Sequence, residues 1–253
     1  MTMIDDRAAY GLALEQARQA AYRPGEYVGQ ESFMTASEIR ALAGGARIGP
    51  ADRVLDVCCG VAGPGRLVAA ETGCRYLGVD LDPGAVAAAR LAAGDLPCRF
   101  EVRRVPPLPP GTFDVVLLLE TLLAFREKRP LLAAVAAVLR PGGRFALTVE
   151  EGAPLTAPER ARMPASDTVW PVPLPDLVDL LEQQSFGVDS IEECSDAHRD
   201  TAAALADAFE ADGVSIGARI GQGTLDDLVA AHRLWAEWLA AGRIRKLSVI
   251  AVR

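Results

Sequence analysis

An alternation of segment types limits this chain more than any other feature. Segments apolar on both faces, Arg53–Cys58 and Phe113–Leu119 above all, are separated by stretches with helical periodicity. A strand apolar on both faces needs cover on both sides, and strand–helix alternation supplies it through parallel crossovers. The pattern predicts a helix over 5–20, a break at Tyr22–Gly29, and a capping box, Thr35-Ala-Ser-Glu38, opening a second helix through Ile39, Leu42 and Ala43. It then predicts strand 53–58, helix 64–72, strand 75–79, a helix 83–93 capped by Asp82, and strands 98–103 and 113–119. A helix through Leu131, Leu132, Val135, Val138 and Leu139 is stopped by Pro141-Gly-Gly143, and strand 144–149 follows. Residues 150–173, rich in proline, read as a loop or lid; helix 174–184, strand 187–192, helices 197–211 and 224–241 and strand 245–252 complete the chain.

In open sheets of this kind ligands sit beyond the carboxyl ends of the strands, near the switch in strand order. Two such ends carry suitable chemistry. Asp56-Val-Cys-Cys-Gly-Val-Ala-Gly-Pro-Gly65 is a turn of small residues that lets backbone approach a ligand. Asp80 ends the next strand, where a carboxylate accepts hydrogen bonds from both hydroxyls of a ribose. Together they point to a nucleoside-containing cofactor. The spacing Gly60-x-x-Gly63-x-Gly65 departs from the dinucleotide G-x-G-x-x-G, and Pro64 removes an N–H from the helix start. That disfavours a nicotinamide-dependent oxidoreductase, as does the lack of a Tyr-x-x-x-Lys dyad.

Composition narrows the partners. With 26 Lys+Arg against 34 Asp+Glu the net charge is −8, which argues against nucleic acid. No apolar run approaches membrane-spanning length, and MTMIDDRAAY lacks the pattern of a secretory signal. Five cysteines without C-x-x-C or a recognised histidine spacing predict neither a disulfide framework nor a metal site, and place the chain in a reducing cytoplasm. Only Lys128 and Lys246 are lysines, which reads as compositional bias of the source.

Val54-Leu-Asp-Val-Cys-Cys-Gly-Val-Ala-Gly-Pro64 is similar to the first motif, V-L-D-x-G-C-G-x-G-G-P, of the class I S-adenosylmethionine-dependent methyltransferases. Gly78-Val-Asp-Leu-Asp82, Phe113-Asp114 and Leu139-Arg-Pro-Gly-Gly-Arg144 resemble three further family segments in the family's order, so the resemblance covers residues 27–150 and the last strand. It implies a doubly wound α/β fold: a seven-stranded, mostly parallel sheet whose last strand runs antiparallel between the fifth and sixth. It implies one domain over 1–253, with an N-terminal helical cap (1–47), a cofactor-binding core (48–150), an acceptor-side lid with helices (151–243) and a final strand (244–253).

The resemblance assigns S-adenosylmethionine as cofactor. Asp56 and the 58–63 turn, with Cys58, Gly60 and Gly63, would hold its methionine part; Asp80 would hold the ribose, Leu81 would cover the adenine, and backbone at Leu119 would meet the amino group. Cys58 and Ala62 stand where the family has glycine: left-handed backbone there would strain both, and right-handed backbone would merely narrow the turn. Glu101-Val-Arg-Arg-Val leaves the family's adenine-binding acid unassigned.

The implied reaction is methyl transfer to O, N or C of a small organic acceptor. The alternative is a protein that binds S-adenosylmethionine without transferring methyl, as a cyclisation or rearrangement catalyst or a sensor. Candidate catalytic groups are Glu120, at the end of the fourth strand beside Glu150-Glu151, and His232, on a helical stripe with Leu225, Leu228 and Trp235. His198 lies in line with Ala202, Leu205 and Phe209 and reads as a packed histidine. Tyr27, Gln30 and Phe33 form either a flap over the cofactor or a dock for the N-terminal segment. Trp235, Gln30 and Asp167-Thr-Val-Trp170 are candidate acceptor contacts, with Leu174, Phe209 and Trp238 as apolar surroundings. The tryptophan-bearing helix equally suits a homodimer face.

Overall fold

The computed structural model describes residues 3–164 and 169–253, with side chains from residue 11 onward. Helix α1 (Met3–Ala21) leads into α2 (Ala36–Gly45), which starts on the expected capping box. The Thr35 hydroxyl accepts the Glu38 N–H at 3.2 Å, and the Glu38 carboxylate accepts the Thr35 N–H at 2.7 Å. Alternation then sets in: β1 (Arg53–Val57), α3 (Gly63–Thr72), β2 (Arg75–Asp80), α4 (Pro83–Ala93), β3 (Cys98–Val102), β4 (Phe113–Leu118), α5 (Arg129–Val138) and β5 (Leu139–Glu151). After the short α6 (Ala157–Arg160) come α7 (Leu174–Glu182), β6 (Gly187–Glu193), α8 (Ser195–Ala211), α9 (Gly213–Ile220), α10 (Gln222–Ala240) and β7 (Arg245–Val252).

The sheet order is β3-β2-β1-β4-β5-β7-β6. Strands β1 to β5 pair in parallel, and β7 runs antiparallel to both β5 and β6. This is the seven-stranded doubly wound sheet implied above. Strand order reverses between β1 and β4, so the crevice lies at their carboxyl ends.

Period-two alternation divides the core between the two faces of the sheet. Leu55, Val57, Val116, Leu118, Phe145 and Leu147 join α5 and α7 on one side. Val54, Val115, Leu117 and Ala146 join α2, α3 and α4 on the other. Each fully buried aliphatic contributes about 2 kcal/mol. A third cluster, Leu14, Ala17, Tyr22, Leu205, Phe209, Ile216 and Leu225, binds α1 to α8, α9 and α10 and so caps the crevice.

Three local details differ from the pattern. Pro141-Gly-Gly143 lies inside β5: Leu139 pairs with Phe113, the register shifts, and Arg144 resumes opposite Val115. Helix α9 forms in a glycine-rich stretch because Ile216, fully buried, anchors it to the third cluster. Cys58 and Ala62 take φ of 61° and 57°, so the left-handed, strained case holds for both.

Glycine is needed at position 65 for space. A Cβ there would lie 2.0 Å from the Tyr76 hydroxyl, whose proton is donated to Asp56 at 2.6 Å. Gly65→Ala should therefore cost about 2 kcal/mol in urea denaturation. Gly11→Ala, at a helical position with nothing within 4 Å of the added methyl, should instead stabilise by roughly 0.5–1 kcal/mol.

Candidate active site

Two cavities meet at the carboxyl edge of the sheet. The first, about 210 Å³, is lined by Asp56, the turn from Cys58 to Pro64 and Leu119, with Gln30 opposite. Strand β1 delivers Asp56 to its floor, 3% exposed. Burial pushes the Asp56 carboxyl up to about 7, against the lowering effect of the Tyr76 hydrogen bond. Gly60 turns at φ 55° with open space where a side chain would stand. Its N–H donates to Asp80 at 2.8 Å, and the Asp82 N–H donates to the other Asp80 oxygen at 2.9 Å. Asp80 therefore stitches the glycine turn to the end of β2, while the Asp82 side chain caps α4. Burial, with Asp80 and Asp56 nearby, pushes the Cys58 thiol up to about 12, so it stays neutral.

The second cavity, about 660 Å³, has an apolar wall that includes Phe33, Leu123, Val169, Trp235 and Leu239, and a charged inner end of Glu120, Glu150, His198 and Lys246. Glu31, Ser32 and Glu120 line both cavities and form the passage between them. His232 also lines the larger one, with its ring edge-on to Phe33 and Phe209 at 5.4 and 5.3 Å. Its Nδ1 lies 2.7 Å from the Leu228 carbonyl, which assigns the proton to Nδ1 and the lone pair to Nε2. Burial pushes this imidazole down to about 4, so it is neutral at physiological pH.

The inner end is a buried ion network. Lys246, 2% exposed, pairs with both Glu120 and Glu150. Burial would raise the Glu120 carboxyl, but the Lys246 ammonium, His198 and Thr148 outweigh it and hold it below the ordinary range. Burial would likewise lower the Lys246 ammonium, but Glu120 and Glu150 hold it above its ordinary value. The Thr148 hydroxyl donates to Glu120 at 2.9 Å and accepts the Glu120 N–H at 2.7 Å, fixing a residue whose φ is 59°. His198, 1% exposed, places Nδ1 3.8 Å from the other Glu120 oxygen.

The two lysines of this arginine-rich chain both take interior positions. Both lysines are buried, Lys128 at 6% and Lys246 at 2% exposed. Lys128 donates to the carbonyls of Phe125 and Trp170 at 2.9 and 2.8 Å and ties the 150–173 segment to the end of β4. Burial brings its ammonium down to about 8. Glu150, Lys246 and His198 were each readable in the sequence; a lysine kept among arginines was the available signal.

The remaining candidates divide between the cavity linings and the packing around them. Tyr27 lines neither cavity; its hydroxyl donates to Glu15 at 2.7 Å and its ring packs on Tyr22, so it docks the N-terminal segment. Gln30 lies at the cofactor-side cavity, but its amide is spent on the loop itself: it donates to the carbonyls of Glu26 and Met34 and accepts the Val28 N–H. An acceptor contact by that amide would break the loop's own hydrogen bonds. Trp170 packs between the guanidinium groups of Arg126 and Arg160, and neighbouring Val169 takes the cavity wall. Asp167 lies outside the described residues. Leu174 belongs to the core under the sheet. Trp235 and Trp238 stack edge to face at 5.7 Å; Trp238 is 3% exposed, and Trp235, half-buried, lines the larger cavity. Gly63 is required by packing: a Cβ there would lie 2.5 Å from the Gly29 backbone. Leu81 stands 54% exposed just beyond Asp80, and Leu119 is buried against the turn.

Residues 55–147 match the family described as methyltransferase domain. The chain is 28% identical over 192 residues to the O-methyltransferase cnsE of Penicillium expansum, covering 72% of this chain and 68% of that protein. It is 31% identical over 147 residues to the sterol 24-C-methyltransferase of Eremothecium gossypii, covering 54% of this chain and 39% of the relative. The cyclopropane synthase MmaA2 of Mycobacterium tuberculosis superposes with a TM-score of 0.83 at 13% identity, over 100% of this chain and 99% of that one, a likeness of fold. Residues 55–147 thus match a methyltransferase domain, and by its relatives and sheet topology the chain resembles the class I S-adenosylmethionine-dependent methyltransferases.

Proposed function

We propose that the chain moves the methyl group of S-adenosylmethionine to a small organic acceptor seated in the 660 Å³ cavity. One observation carries this reading: the cavity and the glycine-turn cleft share Glu31, Ser32 and Glu120 in their linings, which supports an acceptor seated beside a bound donor. The cleft fits the cofactor. Gly60 leaves open space, the buried Asp56 carboxylate suits an ammonium group, and a neutral Cys58 thiol does not compete as a nucleophile. Asp56 and the 58–63 turn would hold the methionine part, Asp80 the ribose, Leu81 the adenine and the Leu119 backbone the amino group. When bound, the cofactor supplies an activated methyl that needs only alignment and exclusion of water.

The chain's own residues do the rest. The wall of Phe33, Leu123, Val169 and Trp235 selects an apolar acceptor and keeps water out. Neutral His232, with its lone pair on Nε2, removes the proton where the acceptor is a hydroxyl or protonated amine. Glu120, held ionised by Lys246, fixes negative charge at the passage where the sulfonium would lie. The cysteines as free thiols fit a cytoplasmic setting, and no described helix is long and apolar enough to cross a membrane.

Calorimetry tests the cofactor: S-adenosylmethionine and S-adenosylhomocysteine should bind at micromolar concentration, and Asp80→Ala should weaken both at least tenfold. Mass spectrometry across apolar hydroxyl and amine acceptors should find a product heavier by one CH₂. Intact cofactor after turnover would establish a non-transferring catalyst instead. His232→Gln should cut kcat about 100-fold for a proton-bearing acceptor while leaving cofactor affinity unchanged.

Lys246→Met leaves two buried carboxylates uncompensated and should cost about 3–5 kcal/mol; adding Glu150→Gln should recover part of that. Asp56 gives a pH test. Its folded pKa, about 7, lies above the ordinary 3.8, so the buried acid stabilises the fold most at low pH. That contribution fades as pH rises towards 7, where ionisation meets a buried site. Asp56→Asn should therefore show the flatter stability profile between about pH 4 and 7, by a few kcal/mol, in denaturation series.

A further inference from the structure

Beside the ion network, at the inner end of the large cavity that His198 also lines, three residues from separate segments meet. Glu38 lies on α2, Cys194 ends the link from β6, and His198 sits in the first turn of α8. Their donor atoms, a carboxylate oxygen, a thiol sulfur and an imidazole nitrogen, all fall within 4.8 Å of one another. Cys194 and His198 are four residues apart, and the His198 N–H donates to the Cys194 carbonyl, so helical geometry stacks them on one face.

Two observations point to a missing ligand. His198 is 1% exposed, yet its Nε2 has no hydrogen-bond partner among the described residues; neither has Glu38 Oε1. The two atoms are 3.2 Å apart but misaligned for a hydrogen bond with each other. Buried polar atoms left in this state destabilise the fold, because nothing replaces the water they have lost. A separation of about 3.3 Å is the nitrogen-to-oxygen edge of a tetrahedral zinc site with bonds of about 2.0 Å. The second observation is an adjacent cavity of about 90 Å³, which reaches Glu38 and Cys194 and whose lining includes Glu192 and Glu193 but no basic side chain. It gives a cation a route and room for a water as fourth ligand.

We propose that Glu38 Oε1, Cys194 Sγ and His198 Nε2 bind one Zn²⁺ ion. The mixed oxygen, sulfur and nitrogen set suits this borderline-soft metal better than Mg²⁺ or Ca²⁺, which take oxygen ligands. Binding replaces hydration waters with the three side chains and releases the Cys194 proton to solvent. Sγ, now 3.6 Å from the Ser248 hydroxyl, moves inward to complete the tetrahedron. The Glu38 oxygen that accepts the Thr35 N–H is the other one, so the α2 cap is undisturbed. With Nε2 on the metal, His198 carries its proton on Nδ1, facing Glu120 across 3.8 Å, and becomes a positioning residue for that carboxylate. The ion would join α2, the β6–α8 link and the rim of the active site in a single bond set. This inference does not depend on the acceptor or on methyl transfer.

The test uses the full-length protein after dialysis against a chelator. Titration with Zn²⁺ against a chromophoric competitor should show one equivalent bound, with a higher thermal midpoint. Co²⁺ in its place should give a thiolate charge-transfer band and tetrahedral ligand-field absorption. Cys194→Ser should abolish the band, and His198→Gln should weaken Zn²⁺ about 100-fold. Absence of stoichiometric uptake, a Co²⁺ complex without the thiolate band, or affinity unchanged in both variants would overturn the proposal. The Co²⁺ spectrum of the unmodified protein decides the matter even if a variant fails to fold.

Discussion

The Lys246 ammonium, buried between Glu120 and Glu150, is the interaction on which the rest of the site depends. Lys246 sits on β7, the strand inserted antiparallel between β5 and β6, directly opposite Glu150 in the β5 register. Glu120 arrives from the end of β4. One cation thus joins three strands at their functional edge. An isolated charge at that depth would be strongly disfavoured; paired, it holds Glu120 ionised at the passage between the two cavities. Thr148 fixes the backbone of Glu120, and His198 brings α8 against the same carboxylate. The helical cap is therefore keyed to the sheet by charge, while the apolar cluster around Phe209 holds its helices to one another.

The cofactor side obeys a different constraint. The turn after β1 follows a left-handed path that glycine adopts freely, yet Cys58 and Ala62 follow it too. Surrounding contacts hold it there: Asp80 binds the Gly60 N–H, Gly63 presses on the Gly29 backbone, and Gly65 leaves room for Tyr76 to reach Asp56. The strain of two non-glycine residues is stored where the backbone must lie open to a ligand. Asp80 thus serves the fold itself, joining the turn to the end of β2.

Much of this was legible in the sequence. The strands, the Thr35 capping box, the Asp82 cap and the acids at the ends of β1 and β2 are local patterns, and the structure carries all of them. Tyr27, Gln30 and Trp170 were harder to read because an aromatic or amide near a cleft looks the same whether it meets a ligand or its own chain. Helix α9 was hidden by its glycines, since its one strong anchor, Ile216, acts through residues distant in sequence. The two lysines were visible in the sequence, but not the partners that bury them.

The sequence by itself determined the elements, their alternation and the switch-point crevice, because periods of two and 3.6 and helix caps are set by residues within a few positions of one another. It also pointed to a nucleoside-containing ligand, through one contiguous turn and the next strand end. Tertiary structure alone decided the active-site interior. Glu120 meets Lys246 because β7 inserts in one register, and Glu38 meets His198 because α1 and α2 fold back over α8. Such partners lie far apart along the chain, and no local periodicity records them. Their pairing is set by which charges can be buried only together.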